Sequence, residues 1–476
     1  MKYLGFTCVL LLTLLPIHAS GWENTYGSIY SEAVYSLIID KSNDSINYVM
    51  CGGANTGPMG PCNFMVAKTN FNGDSLWMRN YETTVARDII LAHNEGYIVA
   101  GYGEYVSPRY PLRLVKLSYE GEILWDKEYD IMSGSSNRAS IIQPIPGEYV
   151  TMWCTIDGYI FLTKTDSIGD TLWTRFCGRE GTWGYCISEA QDSGYIIAAR
   201  TSVGPMENDL YIVKADYEGH LIWDVMYGGI GENAAYFIDT TFDGNYIITG
   251  KTSLYYSVLF DVYLLKINND GDTLWTRKIG GEDYNDVGLC VRPTTDGGYI
   301  ITGWTYSYGI GTPDYSNVYL IKTDSEGYVE WEQTYGGPGE DKGYSVSQTD
   351  DGGYIIAGVY DQGPHTDVYL IKTDSLGNVD WIREPGMKPA EISLNVYPNP
   401  FNSSCRIAVN VGAMLASPAM IEIYDLRGNL VGALNLTPLQ NGAAIWQPDE
   451  EIGSGVYLVR AIMGEKTTTK KIVFLR

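Results

Sequence analysis

The sequence predicts an all-β chain, a seven-bladed β-propeller followed by a C-terminal Ig-like β-sandwich. Three observations predict it. A Lys, a Gly five residues on and a Trp nine residues on recur seven times. Upstream of each Lys a Tyr opens a β-branched run. After Pro385–Pro389 the cadence stops and a different series of short strands begins. Long helical periodicity is missing, 54 Gly punctuate short apolar runs, and 39 Tyr stand against 10 Phe. Tyr has an apolar body and a polar tip, which suits sheets whose outer faces meet water.

The cadence runs Lys68/Gly73/Trp77, Lys116/Gly121/Trp125, Lys164/Gly169/Trp173, Lys214/Gly219/Trp223, Lys266/Gly271/Trp275, Lys322/Gly327/Trp331 and Lys372/Gly377/Trp381. Two β-type runs joined by a few turn residues with one fixed Gly read as a hairpin, the Gly taking a positive φ. The Tyr series is Tyr48, Tyr97, Tyr149, Tyr195, Tyr246, Tyr299 and Tyr354, as in Gly353-Tyr354-Ile355-Ile356-Ala357-Gly358. Before it stand turn residues such as Asp350-Asp351-Gly352-Gly353, and before those another run, Tyr344–Ser347. Four short strands, a to d, in a unit of roughly 50 residues describe a propeller blade. Trp22 opens Trp-Glu-Asn-Thr-Tyr-Gly, which repeats the pattern at Trp331. Residues 21–27 are therefore expected against the unit containing Trp381, or in place of its outer strand, where they would remove an exposed edge.

A residue needed once per blade is a packing residue. The Trp is expected to fill space between sheets. The Lys is expected to lay its stem on apolar surface, with its ammonium near hairpin-turn carboxylates such as Asp324 or Asp374. An Asp or Asn five residues before the Lys (Asn63, Asp209, Asp261, Asn317, Asp367) reads as a cap for the loop entering strand c.

Variation is concentrated elsewhere. Tyr to Lys, across the b–c loop, runs from 15 residues (Tyr149 to Lys164) to 23 (Tyr299 to Lys322), and Trp to the next Tyr runs from 20 to 26. In an up-and-down blade the b–c and d–a loops emerge on one face, and loops on a rigid scaffold are where binding resides. That face is predicted to carry Tyr102, Tyr105, Tyr255, Tyr256, Trp304, Tyr306 and Tyr308, beside acidic d–a loops such as Gly336–Asp341. Rings that stack on sugars and carboxylates that bond hydroxyls point to a glycan or protein ligand. The alternative is a secreted polysaccharide hydrolase or lyase using face carboxylates, with Glu340/Asp341 and Asp283/Asp286 as candidate pairs.

The net charge of −25 lies on the repeats, since residues 391–476 hold seven basic and seven acidic residues. Phosphate binding needs a basic face, so a nucleic-acid role is disfavoured. No Cys/His cluster has zinc spacing, and Asn268–Asp272 lacks the spaced ligands of a calcium loop, so no metal or cofactor is expected. Residues 1–20, with Lys2, an apolar run at Val9–Leu15 and Ala19-Ser20, read as a secretory signal peptide. Of the Cys beyond it, Cys51 with Cys62 and Cys177 with Cys186 are candidate disulfides. Cys186 and Cys290 read equally well as small buried residues.

Residues 385–391 read as a linker and 392–476 as a sandwich of some seven short strands. Tyr397-Pro398-Asn399-Pro400-Phe401, Ile423–Gly428, Ser454–Arg460 and Lys470-Lys471-Ile472-Val473-Phe474-Leu475-Arg476 occur in that order. Together these segments resemble the type A C-terminal sorting domain of the type IX secretion system. The resemblance implies translocation across the outer membrane by that machinery, then release or attachment to surface lipopolysaccharide. The repeats resemble secreted Asp-Gly-Gly-Tyr propeller-like repeats, a resemblance that carries no ligand with it.

Overall fold

The computed structural model describes residues 21–379 and 393–475, less short segments, the longest being 56–61, 104–109, 130–134, 254–258, 398–404, 411–418 and 437–442. The regular elements are all strands. Among the described residues no helix is long and apolar enough to cross a membrane. Residues 22–373 form antiparallel sheets of four strands in a propeller-like arrangement. The first sheet runs Glu32–Asp40, Asn47–Asn55, Cys62–Asn70 and Ser75–Tyr81, lettered a to d from the axis outward, and the next five repeat that order.

The seventh sheet departs from it. Its strands are Lys342–Gln348, Tyr354–Asp361, Thr366–Thr373 and, as outer strand, Trp22–Tyr26 from the start of the chain. Trp22 lies opposite Lys372, the register in which Trp77 faces Lys68 and Trp331 faces Lys322. Trp22 thus fills the place in the seventh unit that the cadence assigned to Trp381, which lies outside the described residues.

Between each sheet and the next lies one apolar cluster. The cluster joining the seventh sheet to the first packs Ile355, Ala357, Val368 and Leu370 on Val34, Leu37, Met50 and Met65. Along the outer seam each Trp ring lies on the hairpin Gly of the following sheet. A Cβ on Gly219 would come 2.7 Å from Trp173, one on Gly377 2.8 Å from Trp331, and one on Gly73 2.7 Å from Trp22. The same contact places Trp125 at 3.1 Å from a Cβ on Gly169, Trp223 at 3.4 Å from one on Gly271, and Trp275 at 2.6 Å from one on Gly327. These glycines have φ between 76° and 89°, so both backbone and space demand Gly. The turn itself is held by a side chain: Asp324 Oδ1 accepts the N–H groups of Glu326 and Tyr328, and Asn268 Oδ1 those of Asp270 and Asp272. Four residues beyond the Trp, Tyr81 donates to the carbonyl of Gly121 at 2.7 Å and Tyr335 to that of Gly377 at 2.6 Å.

This placement sets the Trp between neighbouring sheets, at their outer end. Trp331 is buried, but Trp77, Trp125, Trp173, Trp223 and Trp275 are each only half-buried. The reason is that strand d is outermost, while strands a to c supply the apolar clusters. Each ring therefore closes the outer end of a cluster and keeps one edge in water: Trp125 leans on Tyr149 at 6.4 Å and Trp275 on Tyr299 at 5.9 Å. The indole N–H looks outward to the next hairpin, from Trp125 to the Ser167 carbonyl at 3.1 Å and from Trp223 to that of Asn269 at 3.2 Å.

The repeated lysines are buried, but their partners are not those expected from the sequence. Lys322 pairs with Asp296 at 2.9 Å and with Glu330, and Lys372 pairs with Asp351 at 2.8 Å, not with Asp324 or Asp374. Lys68 reaches Asp40 at 2.9 Å, Lys214 reaches Asp192 and Lys266 reaches Asp243, each at 2.7 Å; Lys116 pairs with Glu95 and Lys164 with Glu148. All seven carboxylates sit at the a–b turn. Strand c pairs beside strand b, so the side chain passes over that turn, while the hairpin Asp is spent on its own backbone.

Neither candidate disulfide forms. Cys51, Cys62, Cys177 and Cys186 are free thiols. Cys177 lies in the core between the third and fourth sheets, and Cys186 in that between the fourth and fifth. Burial pushes both thiols up to about 12 and that of Cys290 up to about 11, so they behave as small apolar residues.

Beyond residue 392 the strands form a three-stranded sheet (Ser393–Tyr397, Cys405–Asn410, Ala443–Trp446) and a four-stranded one (Leu430–Leu436, Ala419–Asp425, Gly455–Met463, Lys466–Phe474). Trp446 of one packs edge-on against Tyr457 of the other, with ring centroids 5.9 Å apart. Lys470 and Lys471 lie on the last strand, opposite Val459 and Leu458. Pro398, Asn399, Pro400 and Phe401 lie outside the described residues.

Candidate binding site at the axis

The inner strands of the seven sheets surround a cavity of about 820 Å³. Its lining follows from a defect repeated in those strands. Pairing between strands a and b slips by one residue at the same level in six sheets, leaving Tyr35, Arg87, Tyr185, Tyr236, Leu289 and Tyr344 without a partner across the ladder. Such a bulge turns its extra side chain out of the sheet, and here all six line the cavity. In the third sheet the irregularity falls between Ser135 and Ala139, and Arg138 lines the cavity instead.

Five of the six bulges are written into the neighbouring strand as glycine, while the fourth sheet carries Ala199 there, opposite Gly184. Gly52, Gly101, Gly250, Gly303 and Gly358 stand four residues after the repeat Tyr. A Cβ at Gly52, Gly250 or Gly303 would lie 1.8 Å from the carbonyl oxygen of Ala33, Ala234 or Val287. The third sheet has Trp153 at that position, stacked on Phe161 at 4.6 Å, and lacks the bulge at that level.

Read around the ring, the lining is Tyr344, Tyr35, Arg87, Arg138, Tyr185, Tyr236 and Leu289. Tyr344 and Tyr35 meet edge to face at 5.2 Å, and Tyr185 and Tyr236 at 4.7 Å. The Arg87 guanidinium lies 4.4 Å from the Tyr35 ring centre, and that of Arg138 lies 3.8 Å from Tyr185. The two cations, on adjacent sheets, lean towards opposite flanks. Burial raises the hydroxyls of Tyr185, Tyr236 and Tyr344, the last to about 12, so these three stay protonated and can donate.

Other charges at the axis are satisfied within the protein. Asp88 is held by the Ser36 hydroxyl at 2.7 Å, the Ser140 hydroxyl at 2.8 Å, and the N–H groups of Ile89 and Ile141, which ties the first three sheets together. Burial nevertheless raises its pKa. Arg292 pairs with Asp239 at 3.0 Å and covers the Phe237 ring.

The aromatic residues expected on the loop face fare differently. Tyr102 is buried in the core with Leu112, Leu114 and Trp153, because strand b continues through it. Tyr105, Tyr255 and Tyr256 lie outside the described residues. Trp304 and Tyr306 do meet, with centroids 5.5 Å apart, and Tyr306 donates to Glu340 at 2.6 Å. Lys342, paired with Glu340 at 2.9 Å, lies 5.7 Å from the Trp304 ring. Tyr308 packs on Tyr319 instead.

Of the carboxylates proposed as acid and base, Asp341 and Asp286 are occupied. Asp341 is fully buried and accepts the N–H groups of Gly337 at 2.6 Å and Asp361 at 2.8 Å. Asp286, also buried, accepts from the hydroxyls of Thr305 and Ser307 and from the N–H of Gly281. Both tie down a d–a loop. Among the described residues no cluster of metal-ligating side chains forms.

With that geometry in view, comparison with known proteins gives three results. The secretion system C-terminal sorting domain family matches residues 395–475. No curated protein matches the chain. Among solved structures, a lectin from Burkholderia pseudomallei superposes with a TM-score of 0.52 at 7% identity, covering 73% of this chain and 97% of its own. A protein of unknown function from Dyadobacter fermentans gives 0.44 at 10% identity, covering 75% and 100%. The lectin likeness carries the fold alone: an all-β, propeller-like scaffold.

Proposed function

We propose that the chain is an exported binding or adhesion module, a closed seven-bladed β-propeller that holds a glycan or protein ligand at the mouth of its axis. Export itself rests on the C-terminal sorting domain, which implies handling by the type IX secretion machinery and an outer-surface or extracellular destination. The finer parts of the itinerary belong to the proposal. They are a signal peptide at residues 1–20, passage through the periplasm, an Ig-like form for residues 392–476, and release or attachment to lipopolysaccharide.

The observation that carries the binding reading is the ring of bulge residues. Six inner strands place an irregularity at the same level, and each extra side chain lines one cavity. Closure is supported by the apolar clusters between consecutive sheets and by Trp22 in the seventh sheet. The hydrolase or lyase reading has less support, because Asp286 and Asp341 are committed to loop backbone and hydroxyls. Screening the full chain on a glycan array, with products followed by mass spectrometry, tests both readings. Retention of a glycan without cleavage is expected, and glycan turnover would replace binding by catalysis.

A further inference from the structure

Two cations at the axis stand apart from the third basic residue that lines it and from the repeated lysines away from it. Arg292 has Asp239, and the seven repeated lysines each have a carboxylate at an a–b turn. Arg87 and Arg138 have no ion-pair partner among the described residues. The buried Nε of Arg87 and Nη1 of Arg138 lack hydrogen-bond partners there. This occurs in a chain with 57 acidic and 32 basic residues, where partners are plentiful. Asp88, next in sequence to Arg87, is turned to Ser36, Ser140 and two backbone N–H groups. A buried donor left unsatisfied is destabilising, the more so when charged. Two like charges on adjacent strands add repulsion. Such an arrangement is retained where something else supplies the counter-charge.

We propose that Arg87 and Arg138 form the anion-binding pair of the axial site, and that its ligand is a carboxylate-bearing saccharide. The inference rests on the reading of the axial cavity as a ligand site. It specifies what that site recognises. The geometry assigns a role to each part. The two guanidiniums belong to neighbouring sheets and lean towards opposite flanks, Arg87 onto Tyr35 and Arg138 onto Tyr185. A carboxylate between them can accept from both, as planar guanidinium donors favour. The hydroxyls of Tyr35, Tyr185, Tyr236 and Tyr344 stand on either side, and their rings offer apolar edges to a pyranose. Leu289 alone contributes neither charge nor hydroxyl. A bare inorganic anion would use the arginines and leave the tyrosines idle, whereas an acidic sugar uses both.

The test uses the full chain and calorimetric titration with oligogalacturonate, its neutral counterpart galactose, and inorganic phosphate. Wild-type protein is expected to bind oligogalacturonate at least tenfold more tightly than either of the others. Affinity should fall as salt is raised. R87Q/R138Q is expected to lose about 10- to 100-fold in oligogalacturonate affinity, the worth of one or two charge-assisted hydrogen bonds. Near-ultraviolet circular dichroism checks that the fold persists. If that variant does not fold, R87K/R138K keeps both charges without the fork and is expected to lose only part of the affinity. Unchanged oligogalacturonate affinity in whichever variant folds would overturn the anion pair. So would equal binding of galactose, while leaving the axial cavity as a saccharide site. Phosphate binding as tightly as oligogalacturonate would overturn the saccharide class. Binding of none of the three would overturn the acidic-sugar inference alone, and glycans captured on the array would still uphold the wider reading.

Discussion

The outer seam and the axis of the repeats occupy equivalent positions in every sheet, yet they are treated in opposite ways. At the seam the residue facing the repeated Lys is Trp in every described pairing, and the residue beneath its ring is always Gly. At the axis the bulge level carries Tyr, Tyr, Arg, Arg, Tyr, Tyr and Leu. A position that must solve the same packing problem in each sheet converges on one residue. A position where the backbone is fixed but the side chain is free can carry a different residue in each sheet. On the proposed reading the seam is scaffold and the axis is where the ligand is met.

The sharpest way to break this comparison is at the one seam position contributed by the other end of the chain. Trp22→Ala removes the ring over Gly73 and weakens the strand that completes the seventh sheet. A loss of about 3 kcal/mol is expected, the lower end for Trp to Ala because Trp22 is half-buried. Urea unfolding measures it. Removing residues 21–27 altogether should cost more and favour self-association through the exposed edge of Thr366–Thr373. Unfolding indistinguishable from wild type would show that the seventh sheet does not need this strand.

Next comes the glycine that makes a bulge. Gly303→Ala puts a Cβ 1.8 Å from the Val287 carbonyl oxygen, with backbone on both sides. The strands must part, at an expected cost of about 2–3 kcal/mol, and the ladder around Leu289 should lose hydrogen-exchange protection before the seam does. The same substitution at Gly229, with nothing within 4 Å, is expected to be nearly silent.

The contrast also explains what could be read from the sequence. The Lys–Gly–Trp cadence and the echo of Trp331 at Trp22 were legible because a seam repeats, and repetition needs no structure to be seen. The partner of the Lys was not. Asp324 lies two residues from Lys322, but Asp296, 26 residues upstream, is adjacent only once strands b and c pair. Nor was the depth of the Trp, since a spacing says that Trp125, Trp223 and Trp275 pack but not that their strand is outermost. Choosing face residues by aromatic density selected Tyr102, which is core, and passed over Tyr35, Tyr185, Tyr236 and Tyr344. A bulge breaks the period-2 pattern by which an inward residue is recognised. The signal was present in Ala357-Gly358 and its equivalents: a Gly inside an apolar strand, four after the Tyr, marks a bulge in its neighbour.

Acid should destabilise the repeats through the a–b turns. Burial alone would raise Asp296, but the Thr294 hydroxyl and the Lys322 ammonium outweigh it and bring it to about 2; Asp192, Asp243 and Asp351 are lowered in the same way. Carboxylates lowered on folding contribute stability that is present above their unfolded value near 3.8 and lost as pH falls through the folded values. Thermal unfolding midpoints should therefore drop between about pH 4 and pH 2. Asp296→Asn should flatten part of that limb. Asp341, raised by burial to about 7, has the opposite sign: its contribution is present below about 4 and is lost as pH rises through 7.

The smallest expected difference is the most direct test of scaffold against site. Tyr81→Phe deletes a buried seam hydrogen bond to Gly121 and nothing else, so stability should fall by about 1 kcal/mol with ligand affinity unchanged. Tyr344→Phe deletes a hydroxyl at the axis while keeping the ring against Tyr35, so stability should hold within about 0.5 kcal/mol while glycan binding weakens. The two substitutions are chemically identical and differ only in which edge of the sheet they touch. If both moved stability and neither moved binding, the axis would be scaffold too, and the variety at its bulges would need another cause.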